Sequence, residues 1–266
     1  MTGGCPSPRQ RAPVEVEFEM PPARLLAPHS SEAFPDPRDA DDEGLLAIGG
    51  DLGPQRLLAA YDHGIFPWYN EGLPVLWWSP NPRGVLEPAR VHVSRSMRRV
   101  IRRADFELTW NADFRRILRE CAAERAEGTW LIEEMQAAYQ ALHEHGFAHS
   151  LEVWSKGQLV GGIYGVQRGR LFAAESMFHR RTNGSKIALI ALAHTLATAG
   201  VELMDVQFVT PHLASLGAVS IRRDEYLRRV AHLHRLPCDL SQARPSLPPI
   251  DCGCPEPGSD GPKTDQ

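Results

Sequence analysis

The stretch from Ala148 to Val209 constrains the fold more than any other part of the chain. AHSLEVWSKGQLVGGIYGVQRGRLFAAESMF reads as three strands joined by turns at Lys156-Gly157 and Arg168-Gly169, because a glycine in a short turn admits the positive φ that hairpins need. SKIALIALAHTLATAG follows as a helix, capped by Ser185 and ended by Gly200. VELMDVQFV is then largely apolar and of strand length, which predicts a buried strand. Meander, helix, central strand and further helices (HLASLGA, DEYLRRVAHLHRL) make an α+β layout with helices on the sheet faces.

The remaining segments are less regular. Pro54 to Gly64 reads as a short helix with Pro in its first turn and Gly at its C-terminal cap. Ser94 to Ala104 reads as a helix capped by Ser94, FELTW as a strand, and ADFRRILRECAAERAE and IEEMQAAYQALHEHG as amphipathic helices. IFPWYNEGLPVLWWSPNPRG, rich in Pro, Gly and Trp, reads as a packed irregular segment. Residues 1–33 read as an N-terminal extension and 236–266 as a disordered tail, since Pro- and Gly-rich polar chain buries too little apolar surface to offset its ordering entropy. The expected division is a small N-terminal α/β domain over 34–105 and a C-terminal domain over 106–235 with a mainly antiparallel sheet.

Composition excludes several classes. No run of 18 apolar residues exists, so no membrane span is expected, and the N-terminus lacks the apolar centre of a signal peptide. Five cysteines in 266 residues do not make a disulfide scaffold. These features predict a soluble cytoplasmic protein. The net charge of −4 excludes a globally basic coat, but it conceals a local asymmetry. Between Arg83 and Arg103 stand seven arginines, 83, 90, 95, 98, 99, 102 and 103, against one acid, Glu87. Arginine binds phosphate bidentately, so the run points to a polyanion partner; the alternative is a solvated helix face.

Other residues invite chemistry. Trp68 and Trp130 lie in loop-like context, where aromatic side chains can stack on unpaired bases; Trp77 and Trp78 read as core. Asp205 and Gln207 alternate with apolar neighbours and so fall on one face of the predicted strand, with Val206 on the other. A carboxylate on a buried strand needs a partner, and Glu175 in FAAESMF is a second case. Several motifs fail. GGIYGVQRG lacks the G-x-G-x-x-G spacing, no P-loop or G-x-S-x-G is present, and Cys252-Gly-Cys254 has no second ligand pair.

Taken together, these segments resemble the leucyl/phenylalanyl-tRNA–protein transferase family. The matching residues are FP at Phe34, GLLAIGGDLGPQRLLAAYDHGIFPWY from Gly44 to Tyr69, LWWSPNPRGVL, VSRSMRRVIRR, CAAERAEGTWL, AYQALHEHGFAHSLEVW, LVGGIYGV, ESMF, SK, DVQ and HLASLGA, spanning about 34–232 in the family's order. The resemblance implies an acetyltransferase-like C-terminal domain. It also implies transfer of leucine or phenylalanine, and in some members methionine, from charged tRNA to a protein with N-terminal Arg or Lys, which is thereby marked for degradation. The donor ester is already activated, so neither cofactor nor metal is implied, and a monomer suffices. Leucyl-tRNA, phenylalanyl-tRNA and the acceptor protein are the implied partners.

The resemblance also implies site roles. Asp205, Gln207 and Glu175 are the catalytic group, with Gln207 hydrogen-bonding the attacking amine and Asp205 orienting and polarising Gln207. Phe172, Met177, Met204 and Ile163 line the amino-acid pocket. Trp68 and Trp130 meet the terminal adenosine, and Arg83, Arg95, Arg98, Arg99, Arg102 and Arg103 hold tRNA phosphates. Two departures stand out: Ala173-Ala174 replaces a pair containing glycine, and Val206 replaces the cysteine of many members. Competing readings are an acyltransferase using a small activated donor such as an acyl-CoA, and a non-catalytic tRNA-end binding module.

Overall fold

The computed structural model describes residues 23–28, 33–103, 106–123 and 130–250. Two sheets share one apolar cluster, which joins Ala47 and Trp77 of the first to Tyr164 and Phe178 of the second. The first has four short strands: β1 (Arg24–Leu26), β2 (Leu45–Gly49), β3 (Phe66–Pro67) and β4 (Leu76–Trp78), in the order β1-β2-β4-β3. Helix α1 (Pro54–Asp62) connects β2 to β3, with Pro54 in its first turn as expected and Gly64 beyond its end at φ 72°. The strand pairing of β1 with β2 shows that the N-terminal extension is structured at 24–26. Residues 1–22 lie outside the described residues. The supposedly irregular Trp-rich segment supplies strands; Trp77 is fully buried and donates its indole N–H to Gly49 O at 2.8 Å.

The second sheet has seven strands. β5 (Arg83–Leu86) is next to one edge of it, followed along the chain by helix α2 (Arg95–Arg102), strand β6 (Glu107–Trp110), and helices α3 (Phe114–Ala123) and α4 (Glu133–Glu144). The expected meander is β7 (Ala148–Ser155), β8 (Gln158–Arg168) and β9 (Leu171–His179). Helix α5 (Gly184–Thr198) carries the chain to β10 (Leu203–Gln207), and α6 (Pro211–Ala214), β11 (Val219–Ile221) and α7 (Arg223–Leu233) complete the described elements. The order is β11-β5-β10-β9-β8-β7-β6, antiparallel throughout except for the parallel pair β9–β10 that α5 bridges. The α+β class with a mainly antiparallel sheet is therefore observed.

The strand period of two divides the core. Along β8, Ile163 packs with α5 and α2, whereas Tyr164 packs with α3, α4 and the first sheet. AHSLEVW ties the β6 edge down: the buried Glu152 accepts from Ser150 Oγ at 2.5 Å and Thr109 Oγ1 at 2.6 Å.

Three expectations need correction. First, the domain boundary does not fall near residue 105. β5 sits between β10 and β11, and Val93, Met97 and Ile101 pack into the core beneath α5, so the chain enters the large sheet by Arg83. Second, α5 starts at Gly184 with Asn183 as its N-cap, at φ 73° and without a side-chain cap bond; Ser185 lies inside it. Ser94, by contrast, caps α2 as expected, its Oγ accepting from Met97 N at 3.3 Å. Third, residues 236–250 pack as an extended strap. Leu240 is buried, Trp110 donates to Leu240 O at 3.0 Å, Gln167 donates to Cys238 O at 2.9 Å, and Ser246 N donates to Thr195 Oγ1 at 3.1 Å. The cause is α5, most of whose residues are buried: a helix apolar on all sides needs cover on its outer face as well. The rest of the expected tail, 251–266, lies outside the described residues.

Candidate active site

The parallel pair β9–β10 places the polar residues of the two strands side by side. The regular register ends with Asp205 level with Ala173, and beyond it the Gln207 amide lies 3.4 Å from Glu175 Oε1. A bulge interrupts the regular alternation. Against β5, Asp205 pairs with Val85 and Gln207 with Gly84, leaving Val206 as the extra residue, and Gln207 adopts φ 55°. Gly84 permits this, because a side chain there would start 2.9 Å from the Phe208 carbonyl carbon.

The bulge separates what a regular strand would have kept on one face. Asp205 turns inward to Arg83, each only 1% exposed. The pair is bidentate, Nε to Oδ1 at 2.8 Å and Nη2 to Oδ2 at 2.6 Å, and Tyr226 Oη donates to Asp205 Oδ2 at 2.7 Å. The guanidinium lies between the Phe66 and Tyr226 rings, 4.6 Å from each centroid. Burial is the largest single influence and disfavours its charge, but Asp205, Tyr226 and Glu175 together outweigh it and raise its pKa. Arg83 is thus withdrawn from the phosphate-binding set: its head is spent on Asp205 and does not reach the surface. Asp205 does not hydrogen-bond the Gln207 side chain either. Its Oδ1 accepts from the Gln207 backbone N–H at 3.0 Å, which holds the bulge rather than the amide.

Glu175 and Gln207 form a wall shared by two cavities. One, about 160 Å³, is lined by Phe66, Pro67, Trp68, Trp130 and Phe208 besides the pair. The other, about 240 Å³, is lined by Ile163, Ala174, Met177, Leu189, Val206 and Leu213 besides Ser176 and the pair. Trp68 and Trp130 therefore meet in one aromatic cleft, where Trp68 is 42% exposed and 6.2 Å from the Phe208 ring. Phe208, itself exposed, was not anticipated. Of the four residues the resemblance assigns to the amino-acid pocket, Ile163 and Met177 line the second cavity, whereas Phe172 and Met204 do not and are fully buried. Val206 faces this cavity, contrary to the strand-alternation argument, because the bulge turns it there. Ala174 also lines it, so one added methyl does narrow the space.

The Gln207 amide has two possible orientations. With Nε2 toward the Ala174 and Val206 carbonyl oxygens it makes two hydrogen bonds of 3.1 Å; reversed, it makes one of 3.4 Å to Glu175 Oε1. The first satisfies both amide protons and turns Oε1 toward Glu175 and the open cleft.

Glu175 is held from behind. Tyr139 Oη donates to its Oε2 at 2.9 Å, and Tyr61 Oη lies 2.9 Å from Tyr139 Oη. Burial pushes the Glu175 carboxyl up to about 7; the two phenols oppose that shift and the charge of Asp205 adds to it. The group thus changes charge near neutrality, where a protonated Glu175 can donate to Gln207 Oε1. Neither tyrosine was singled out from the sequence, because both sit on helix faces that read as core. A buried Tyr in place of Leu or Phe was the available signal, since its hydroxyl must find a partner.

The α2 arginines are exposed, Arg95, Arg98, Arg99 and Arg102 on the helix and Arg103 at its end, which suits phosphate contact and a solvated helix face alike. Among the described residues no group of three or more His, Cys, Asp or Glu is placed to hold a metal ion. No described helix is long and apolar enough to cross a membrane.

Comparison with known proteins bears on this site. A family model described as leucyl/phenylalanyl-tRNA protein transferase matches residues 85–231, and one for the N-terminal domain of the same family matches 50–81. A leucyl/phenylalanyl-tRNA–protein transferase of Shewanella halifaxensis is 51% identical over 209 residues, covering 77% of this chain and 89% of that protein. One of Pseudomonas paraeruginosa is 55% identical over 194 residues, covering 71% and 86%. Among solved structures, a GCN5-related N-acetyltransferase from Kribbella flavida aligns with 60% of this chain and 58% of its own at 12% identity, with a TM-score of 0.31, too low to carry an argument.

Proposed function

The chain belongs to the leucyl/phenylalanyl-tRNA–protein transferase family, and on that premise we propose that it joins leucine or phenylalanine from charged tRNA to the α-amine of proteins beginning with Arg or Lys, marking them for degradation. It is an aminoacyltransferase. The observation that supports the finer reading is the shared wall: an aromatic cleft and an apolar pocket meet at Glu175 and Gln207. An aminoacyl ester of adenosine has two parts to house, a base that stacks and an apolar side chain. Trp68, Trp130 and Phe208 suit the base, and Ile163, Met177, Leu189 and Val206 suit the side chain. The ester carbonyl between them then lies against the Glu175–Gln207 wall.

The reaction forms a C–N bond and breaks the ester C–O bond. The amine loses a proton and the ribose 3′-oxygen gains one. An α-amine has a pKa of about 8 and must attack as the free base. Gln207 Oε1, facing the cleft, is an acceptor for an amine N–H and so orients the nitrogen lone pair on the carbonyl. Gln207 is too weak a base to keep that proton. Ionised Glu175 beside it is the group that takes the proton or pairs with the cationic acceptor side chain. Asp205 acts at one remove, by fixing the Gln207 backbone.

An acceptor-labelling assay tests the reading. Labelled leucine on tRNA is expected to pass to a peptide beginning with Arg and not to one beginning with Ala. Transfer to both would remove the acceptor specificity, and no transfer with charged tRNA still bound would favour the binding-module reading.

The α2 arginines predict a salt effect. Arg98→Ala with Arg102→Ala is expected to raise the tRNA KM and to lower the slope of log KM against log salt by about 1.8, or about 0.9 for each duplex phosphate no longer neutralised. An unchanged slope would take α2 out of the tRNA site.

A further inference from the structure

Three elements converge on the mouth of the 240 Å³ pocket, and each repeats one arrangement. β9 places Met177 in the lining and carries the exposed His179 two residues on, on the same side of the strand. α5 places Leu189 there and carries Lys186 three residues earlier, on the same helix face. α6 places Leu213 there, with His212 immediately before it. In each case an apolar residue lines the pocket and a basic residue stands within three positions of it along the chain.

The three basic groups form a cluster. His179 Cβ lies 3.3 Å from where a side chain on Gly184 would begin, which seats His179 on the first turn of α5. His212 titrates below the usual histidine range, through burial first and then through the nearby charges of Lys186 and His179. Among the described residues Lys186 has no ion pair, and the shielded His212 Nε2 has no hydrogen-bond partner. Among the described residues Glu175 is the one acid lining this pocket. The cluster also lies on the α2 side of the sheet, since Val93, Met97 and Ile101 share a core with Ile187, Leu189 and Leu213. Arg181, just before α5, lies over the Phe106 ring at 5.4 Å, and Phe106 closely follows α2 in the chain.

We propose that His179, Lys186 and His212 contact the last backbone phosphates of the single-stranded 3′ end of the aminoacyl-tRNA, on its path from the α2 arginines to the reacting ester. The proposal rests on the transferase reading above and adds a site to it. Its chemistry is selective: the Lys186 ammonium, with imidazole donors beside it, attracts phosphate and disfavours the cationic N-terminus of the acceptor. The amine therefore has to approach the ester from elsewhere.

The test uses the full chain and three leucyl esters, on adenosine, on the trinucleotide CCA and on whole tRNA. Only the last two carry the phosphates in question. In Lys186→Met with His212→Gln, the ratio of kcat/KM on the CCA ester to that on the adenosine ester is expected to fall about tenfold. On whole tRNA the salt slope is expected to fall by about 0.7 for each single-strand phosphate no longer held. Lys186→Arg, which keeps the charge, is expected to retain the wild-type ratio. An unchanged ratio overturns the proposal. So does an equal loss on all three esters, which would mean a damaged pocket, or a change confined to the KM of acceptor peptides with acidic second residues. Failure of the wild-type chain on every ester would instead overturn the transferase reading, and this proposal with it.

Discussion

Asp205→Ala is expected to cost about 3–5 kcal/mol of stability and to lower kcat by about 10³. The two losses have different origins. Stability falls because Arg83, 1% exposed, keeps a charge without either of its carboxylate hydrogen bonds. Its Nη1 already lacks a partner among the described residues, so no alternative acceptor stands ready. Activity falls because the Gln207 backbone loses the bond that holds its φ of 55°, and the amide drifts from the cleft. The double variant Arg83→Met, Asp205→Ala separates the two effects. Without the orphaned cation it is expected to regain more than half of the lost stability in urea unfolding, while kcat stays low. Affinity for charged tRNA is expected to hold in the double variant, since neither side chain reaches the surface. A single variant within about 1 kcal/mol of wild type would mean that the ion pair contributes little; a double variant with restored kcat would mean that Asp205 does not support Gln207.

That coupling shows where the sequence was legible and where it was not. Asp205, Gln207 and Glu175 stood out because polar groups in apolar strands must be satisfied or used. Their relative placement could not be read by counting residues. The count of two assumes a regular strand, and the bulge at Val206 depends on Gly84, more than 120 positions earlier in the chain. Arg83 shows the same limit. In a tally of charge it joins the α2 arginines, yet its burial is decided by Asp205, a partner equally far away. Local signals served well where local physics decides: the Ser94 cap, Gly64 beyond α1, and the two hairpin turns of the meander.

Short elements were the least legible. β3 has two residues and β4 three, both among prolines and glycines, and their pairing comes from the first sheet as a whole. The strap over 236–250 is a different case. Its composition argued for disorder, and Leu240 alone would not argue otherwise. The contrary signal lay in α5, whose apolar residues surround the helix and so require a cover on the side away from the sheet. Much of that cover is held by backbone groups, such as the Leu240 and Cys238 carbonyls, which carry no mark in the sequence.

Glu175→Gln is expected to lower kcat/KM on an Arg-initiated peptide by about 10² and to remove one limb of its pH dependence. In the folded chain burial holds the Glu175 carboxyl at about 7, so free wild-type enzyme gains the ionised form as pH rises through neutrality. The α-amine deprotonates near 8. Wild-type kcat/KM is therefore expected to rise through both values, and the variant's through the amine's alone. The effect on stability has the opposite sign. A carboxyl at about 7 in the folded chain, against an ordinary value near 4.5 when unfolded, binds more protons folded than unfolded between those limits. Stability from this group then falls as pH rises through that window and stays low above it. Glutamine has no such term, so the variant is expected to gain on wild type between pH 5 and pH 8, by about 1 kcal/mol once water in the cleft is allowed for. Unfolding at those two pH values checks the sign, and kcat/KM from pH 5.5 to 9 checks the limb. A variant that kept the limb near 7 would assign it to another group. One that lowered kcat while leaving the KM for the Arg-initiated peptide unchanged would give Glu175 to the amine rather than to the acceptor's side chain. The Tyr139 and Tyr61 hydroxyls serve either role, because they hold the carboxylate at the cleft wall when it is charged and alone.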